Sequence, residues 1–118
     1  MPVTDSFVAF ILEQLDALGP ITPKRMFGGV GLYAGELFFA VIMGDVLYMK
    51  TDDAGRGALI EAGARPFEPF RKPVRGKQRY YSVPAVILED GDAVLAWAKQ
   101  SVQIARAQRR AEALRHTP

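Results

Sequence analysis

The chain has 118 residues, 49% of them apolar and 24% charged, the size at which one domain buries one core and the balance of an ordinary globular domain. It has no cysteine and one histidine, His116 near its end, which excludes disulfides, thiolate catalysis and cysteine zinc sites and leaves hydrolytic or metal chemistry without its usual parts. The net charge of +2 hides a split, since residues 1–70 carry 5 basic and 9 acidic side chains while residues 71–118 carry 10 and 4, giving −4 and +6. A positive field over the later half points to an anionic partner.

No window reaches the ~18 uncharged apolar residues that a membrane-spanning helix requires, and "MPVTDSF" lacks a basic segment followed by an apolar run. The expected location is the cytoplasm, with no membrane partner. The expected organisation is a single domain over 1–118 with an extended helical tail at about 106–118.

Residues 4–18 place Phe7, Ile11, Leu15 and Leu18 on one helical stripe, with Val8 and Leu12 beside it, after the capping candidates Thr4 and Asp5. Gly19 and Pro20 end that helix. From Ile21 the period changes: "ITPKRMFGGVGLYA", "GELFFAVI" and "GDVLYMKT" read as three antiparallel strands joined by tight turns at Ala34-Gly35-Glu36 and Met43-Gly44-Asp45.

The glycines at 28, 29 and 31 invite comparison with a nucleotide loop. A phosphate loop of the Walker kind needs lysine and then serine or threonine after its last glycine, but Gly31 is followed by Leu32 and Tyr33. A dinucleotide loop needs a helix next, and here a strand follows. The glycines therefore read as permitting a bulge, strong twist or close packing on the sheet.

Thr51, Asp52 and Asp53 cap a short helix that continues through Leu59 and Ile60 and stops at Gly63 before Pro66. Paired carboxylates can do acid/base work, but adjacent positions at a helix start diverge, so capping is the preferred reading. Pro66 and the three prolines of "FEPFRKPVRGKQRYYSVPAVILED" leave "KQRYYSV" as the convincing strand, one that lies near an edge and offers a homodimer by strand pairing. Pro84 opens a turn or short helix through Leu88. The last helix runs from about Asp92 to about Leu114, with Val94, Leu95, Ala98, Val102 and Ala105 as its apolar stripe and Trp97 at the border. Beyond Ala105 it outlasts its core contact. Arg106, Arg109 and Arg110 adjoin there by three- and four-residue spacing.

The ordered blocks "RMFGGVGLY", "ELFFAVIMGDVLYMKTDDA", "EAGARPFEPF", "YYSVPAVILED" and "LAWAKQSVQIAR", from about Lys24 to Arg106, closely resemble the TfoX (Sxy) N-terminal domain family of bacterial competence regulators. The resemblance implies an α+β fold of two layers, helices packed on one antiparallel sheet, in the order α-β-β-β-α-β-α. It also implies a regulatory or interaction role with no cofactor or catalytic residue to carry over. The full regulators have a second, C-terminal domain, which is not expected here, so a role in switching on DNA-uptake genes is not expected to transfer directly.

The residues matching the family blocks, among them Met26, Phe27, Tyr33, Tyr48, Pro66, Tyr80, Pro84 and Trp97, have the character of packing and turn residues. Lys50 differs, ending an apolar strand near Tyr48 and Tyr80, where it either binds an anion or is a solvated strand end. Two functions follow. The first is a non-enzymatic regulatory module that binds another protein or itself, with no cofactor and no metal. The alternative is an accessory nucleic-acid binder, using Arg71, Lys72, Arg75, Lys77 and Arg79 interleaved near Phe70, Tyr80 and Tyr81, together with Arg106, Arg109 and Arg110. No helix-turn-helix supports it, and a pI near 9.1 is modest for a dedicated binder. A small-ligand or enzymatic cleft beside Lys50 and the tyrosines is the least favoured, since no acid/base pair stands at useful spacing.

Overall fold

The computed structural model of the protein describes residues 3–26, 28–68 and 79–115. Helix α1 (Asp5–Gln14) starts at Thr4, whose side chain accepts from the Phe7 amide, and a short 3₁₀ turn, Asp16–Leu18, follows it. Five strands come next in one antiparallel sheet of order β1-β2-β3-β4-β5: β1 (Ile21–Met26), β2 (Gly29–Ala34), β3 (Leu37–Met43), β4 (Val46–Lys50) and β5 (Tyr80–Ser82). Helix α2 (Asp53–Glu61) links β4 towards β5, and α3 (Ala85–Leu88) and α4 (Gly91–Arg115) close the chain. This is the two-layer α+β architecture expected from the sequence, with one strand more.

The extra strand comes from the run 21–34, which is a hairpin rather than a single strand. Met26 pairs with Gly29, and Gly28 takes φ +82°, a backbone region that side-chain-bearing residues avoid. The next glycines serve close packing. A Cβ at Gly29 would run into the Ile42 carbonyl oxygen, and one at Gly31 would sit 2.7 Å from the end of the Met26 side chain. The register then shifts between Leu32 and Tyr33, a bulge that lets Phe39 turn into the core beside Ala40. The glycine cluster thus shapes a hairpin, as its strand context requires.

The β3–β4 turn is as expected from the sequence, with Gly44 at φ +58° and Asp45 at φ +56°, the paired positive angles that match hairpin twist. Asp45 has a second task. Its carboxylate accepts from the Thr4 amide (2.8 Å) and the Thr4 hydroxyl (3.0 Å), tying the start of α1 to the sheet.

One face of the sheet carries the core. Val30, Leu32, Ala40, Ile42, Leu47 and Met49 from the strands meet Ile11 and Leu15 of α1 and Val94, Ala98, Val102 and Ala105 of α4. Fully burying the Val, Leu, Ile and Met side chains among them is worth roughly 1.5–3 kcal/mol each, so this cluster dominates the stability of the fold. Helix α2 lies against α4, close enough that a Cβ at Gly55 would come 3.2 Å from the Trp97 ring. Asp90 caps α4, its carboxylate accepting from the amides of Asp92 and Ala93.

The two edges are finished differently. Strand β1 forms one edge, carrying Pro23, which lacks an N–H, and exposed Lys24 and Arg25, features that discourage further pairing. At the other end β5 is the last strand, but the segment 65–67 lies along it: the Phe67 amide donates to the Tyr80 carbonyl and the Ser82 amide to the Arg65 carbonyl, both at 2.8 Å. Two of the outward backbone groups of β5 that a strand-paired dimer would need, the Tyr80 carbonyl and the Ser82 amide, are therefore already used. Of the sequence "KQRYYSV", strand geometry covers only Tyr80–Ser82 among the described residues. Among the described residues no helix is long and apolar enough to cross a membrane.

Candidate interaction surface at the end of the sheet

Strand alternation and the hairpins bring the end of β2, the start of β3, the end of β4 and the start of β5 to one end of the sheet. Helix α4 crosses the core face and continues past this end. It is pinned at the crossing, where the buried Ser101 hydroxyl donates to the Lys50 carbonyl at 2.8 Å. Further along, Gln108 accepts from Lys50 Nζ (2.7 Å) and Arg109 donates to Glu36 in the β2–β3 turn (2.7 Å). Residues 106–115 thus leave the core and overhang the strand ends.

Lys50 is half-buried rather than freely solvated. Its Nζ lies 5.6 Å from the Tyr80 ring centre, near the range of a cation–π contact. Burial lowers its pKa from the ordinary lysine value, the positive charge of Arg79 lowers it further, and Glu112 works the other way. Tyr80 belongs to a line of rings with Phe38 (5.8 Å) and, beyond it, Tyr33 (5.2 Å from Phe38). Burial chiefly, with a contribution from Tyr33 and against the pull of Arg79, pushes the Tyr80 hydroxyl up to about 12. Tyr48, raised by burial, packs its ring 4.8 Å from Phe67.

Beside this group, between the start of α2 and the end of α4, is an open cleft of about 390 Å³ lined by charged side chains, including Asp52, Asp53, Arg56, Arg79, Glu112 and Arg115. Much of that charge is engaged in holding the local backbone. Asp52 accepts from the Gly55 amide at 2.8 Å, the capping role expected of it. Arg56, almost wholly covered, donates to Asp53 (2.8 Å) and to the Thr51 hydroxyl (3.1 Å) with its guanidinium over the Tyr81 ring. The amide and hydroxyl of Thr51 both donate to the Arg79 carbonyl at 2.7 Å, clipping the β4–α2 link to the entry of β5. Among the described residues no group of three His, Cys, Asp or Glu stands where it could hold a metal ion.

Among the described residues, the candidate contact residues do not form one patch. Lys50 and Arg79 come together at the sheet end, Arg109 is tied to Glu36, and Arg106 and Arg110 lie exposed on the outer side of α4. Arg71, Lys72, Arg75 and Lys77 lie outside the described residues. Sequence reasoning missed Ser101, Gln108 and Arg56, which build the site. Ser101 carried a readable signal, being the polar member of the stripe Val94, Ala98, Ser101, Val102, Ala105.

A five-stranded antiparallel sheet with its helices on one face, a glycine-shaped first hairpin and a long terminal helix defines a small two-layer α+β domain with a charged end. The family model of the TfoX N-terminal domain matches residues 13–105, and the chain belongs to that family. No curated protein matches the chain. The matched span stops at Ala105, the last buried residue of α4, so the overhang lies beyond it.

Proposed function

We propose that this domain is a non-enzymatic regulatory module that works in the cytoplasm by binding a protein, in the manner of the competence regulators its family resembles. The observation that carries the reading is the overhang of α4. Helices gain most of their stability from packing, yet this one continues through residues 106–115 past its last buried side chain, leaving Leu114 70% exposed. A helical arm with an apolar group among arginines suits docking on another protein. The test is affinity capture from cell extract with the wild type and with Arg106→Glu/Arg110→Glu, followed by binding of the identified partner in purified form. A partner that the wild type holds and the variant loses supports the reading. A chain that captures nothing and sediments as a strict monomer counts heavily against it.

A second reading, nucleic-acid binding, is favoured by one fact: Lys99, Arg106 and Arg110 are exposed and form no ion pair with any described residue. Fluorescence anisotropy of a labelled duplex and single strand decides it. Phosphate contacts predict affinity falling by roughly 0.9 log units per log unit of salt for each contact on duplex. Absence of binding at low salt removes the reading.

A further inference from the structure

One exposed stripe runs the length of α4. At 100° per residue, Asp92, Lys99, Gln103, Arg106, Arg110 and Leu114 fall within about 40° of one line, and all are exposed. The stripe is polar in the electrical sense. Its root is acidic: beside Asp92 lie exposed Glu89 and Asp90, and the end of α1 with Glu13 and Asp16 is held close by the Gln14 hydrogen bond to the Leu88 carbonyl. Its tip is basic, with Arg106, Arg110 and Arg115 against one acid, Glu112. Among the described residues the two largest apolar exposures sit at the same two places, Val86 on α3 next to the root and Leu114 at the tip, each 70% exposed.

We infer that this stripe binds a second copy of the chain, with the two α4 helices antiparallel about a two-fold axis. The inference rests on the reading of the domain as an interaction module and specifies a partner for it. Antiparallel packing about an axis at the level of residue 101 pairs positions equidistant from it. Asp92 of each copy then faces Arg110 of the other, Ala96 lies under the aliphatic stem of Arg106, and Lys99 meets the Gln103 amide. Leu114 arrives beside the α3–α4 junction, where Val86 is uncovered. Because the contact is isologous, every charge pair occurs twice and the assembly closes as a dimer. A parallel arrangement instead sets Arg106 and Arg110 against their own copies. The stripe is largely polar and narrow, so the dimer belongs to the weak, exchanging class and depends on salt.

Sedimentation of the full chain at low salt and at about 1 M salt, where the screening length falls to about 3 Å, gives the first readout, and charge reversal gives the second. Arg110→Glu and Asp92→Arg are each expected to weaken self-association by about tenfold, since two symmetry-related attractions become repulsions. Mixing the two variants restores association as a heterodimer, because each supplies the charge that the other now lacks. The double variant restores the homodimer. Circular dichroism confirms that both single variants fold. A wild type that stays monomeric at low salt overturns the dimer; if it then binds a different protein through α4, the interaction reading stands without it. A dimer that neither reversal weakens, or variants that do not recover on mixing, overturns the antiparallel register.

Discussion

The two parts of α4 share a helix and almost nothing else. From Gly91 to Ala105 the helix buries Val94, Ala98, Ser101, Val102 and Ala105 against the sheet, while from Arg106 to Arg115 Gln108 is the one residue that is not exposed. The first part is stabilised by burial. The second relies on continuation of a helix already nucleated, on helix-favouring Ala, Arg, Gln, Glu and Leu, and on side-chain ties to Lys50 and Glu36. Continuity of secondary structure therefore says little about where stability resides, and the stretch that adds least to the fold is the stretch with most surface to offer.

The contrast breaks most visibly with alanine at either end. Val94→Ala removes two methyl groups from a site with no exposure and is expected to destabilise by about 2 kcal/mol, counting transfer and cavity together. Leu114→Ala removes a larger side chain and is expected to stay within about 0.5 kcal/mol. Urea denaturation with a common m-value measures both. Comparable losses from the two variants overturn the division of the helix at Ala105.

Ser101→Ala tests the tie between the first part and the sheet. The hydroxyl is buried and donates to the Lys50 carbonyl, so its removal is expected to cost about 1 kcal/mol and to loosen the strand end that carries Lys50. Hydrogen exchange then rises at the amides near the end of β4. A neutral effect on both means the hydrogen bond does not fix the helix on the sheet.

The pH dependence sharpens the picture of the sheet end. Tyr80 has its pKa raised from 10.0 to about 12 in the folded state, so its contribution to stability is fully present below pH 10 and is lost as pH rises to about 12. Lys50 has the opposite sign: a lysine lowered by folding is a cost while it is charged, and that cost disappears as pH climbs towards 10.5. Between pH 10 and 12 the tyrosine effect remains. Tyr80→Phe is therefore expected to flatten the alkaline loss of stability in that window, read from urea midpoints across the range. An unchanged alkaline slope excludes Tyr80 as its source.

The elements were legible in the sequence wherever chain-local signals act. Thr4 and Asp52 cap helices because their side chains reach amides three residues on, and Gly44-Asp45 marks a hairpin through its own φ angles. The run 21–34 misled for a related reason: Thr22, Pro23, Lys24 and Arg25 break the apolar pattern of a strand, and the hairpin became visible only through its pairing with β2. The site was harder to read. Lys50 meets Gln108 58 positions away, and no periodicity encodes that contact. Arg106, Arg109 and Arg110 adjoin by spacing, but consecutive residues diverge by 100° on a helix. Arg109 therefore turns to Glu36 while Arg110 stays on the outer line. The covering of β5 by residues 65–67 was also hidden, because Pro66 signals a break in structure and not the backbone groups on either side of it.

The smallest effect closes the comparison. The Arg109–Glu36 ion pair is short at 2.7 Å and joins the overhang to the β2–β3 turn, so by distance alone it looks like the anchor of the second part. Both side chains are more than half exposed, at 58% and 80%, and in that setting the gain in attraction is offset by ordering two long side chains and by salt. Arg109→Ala is expected to change stability by no more than about 0.5 kcal/mol, and the small loss should vanish at about 1 M salt, where screening acts within about 3 Å. Helicity at 222 nm should remain, because the Lys50–Gln108 hydrogen bond still holds the helix one residue earlier. A loss above about 1 kcal/mol at low salt, or a fall in helicity, makes the overhang part of the folded core's cooperative unit rather than an arm projecting from it.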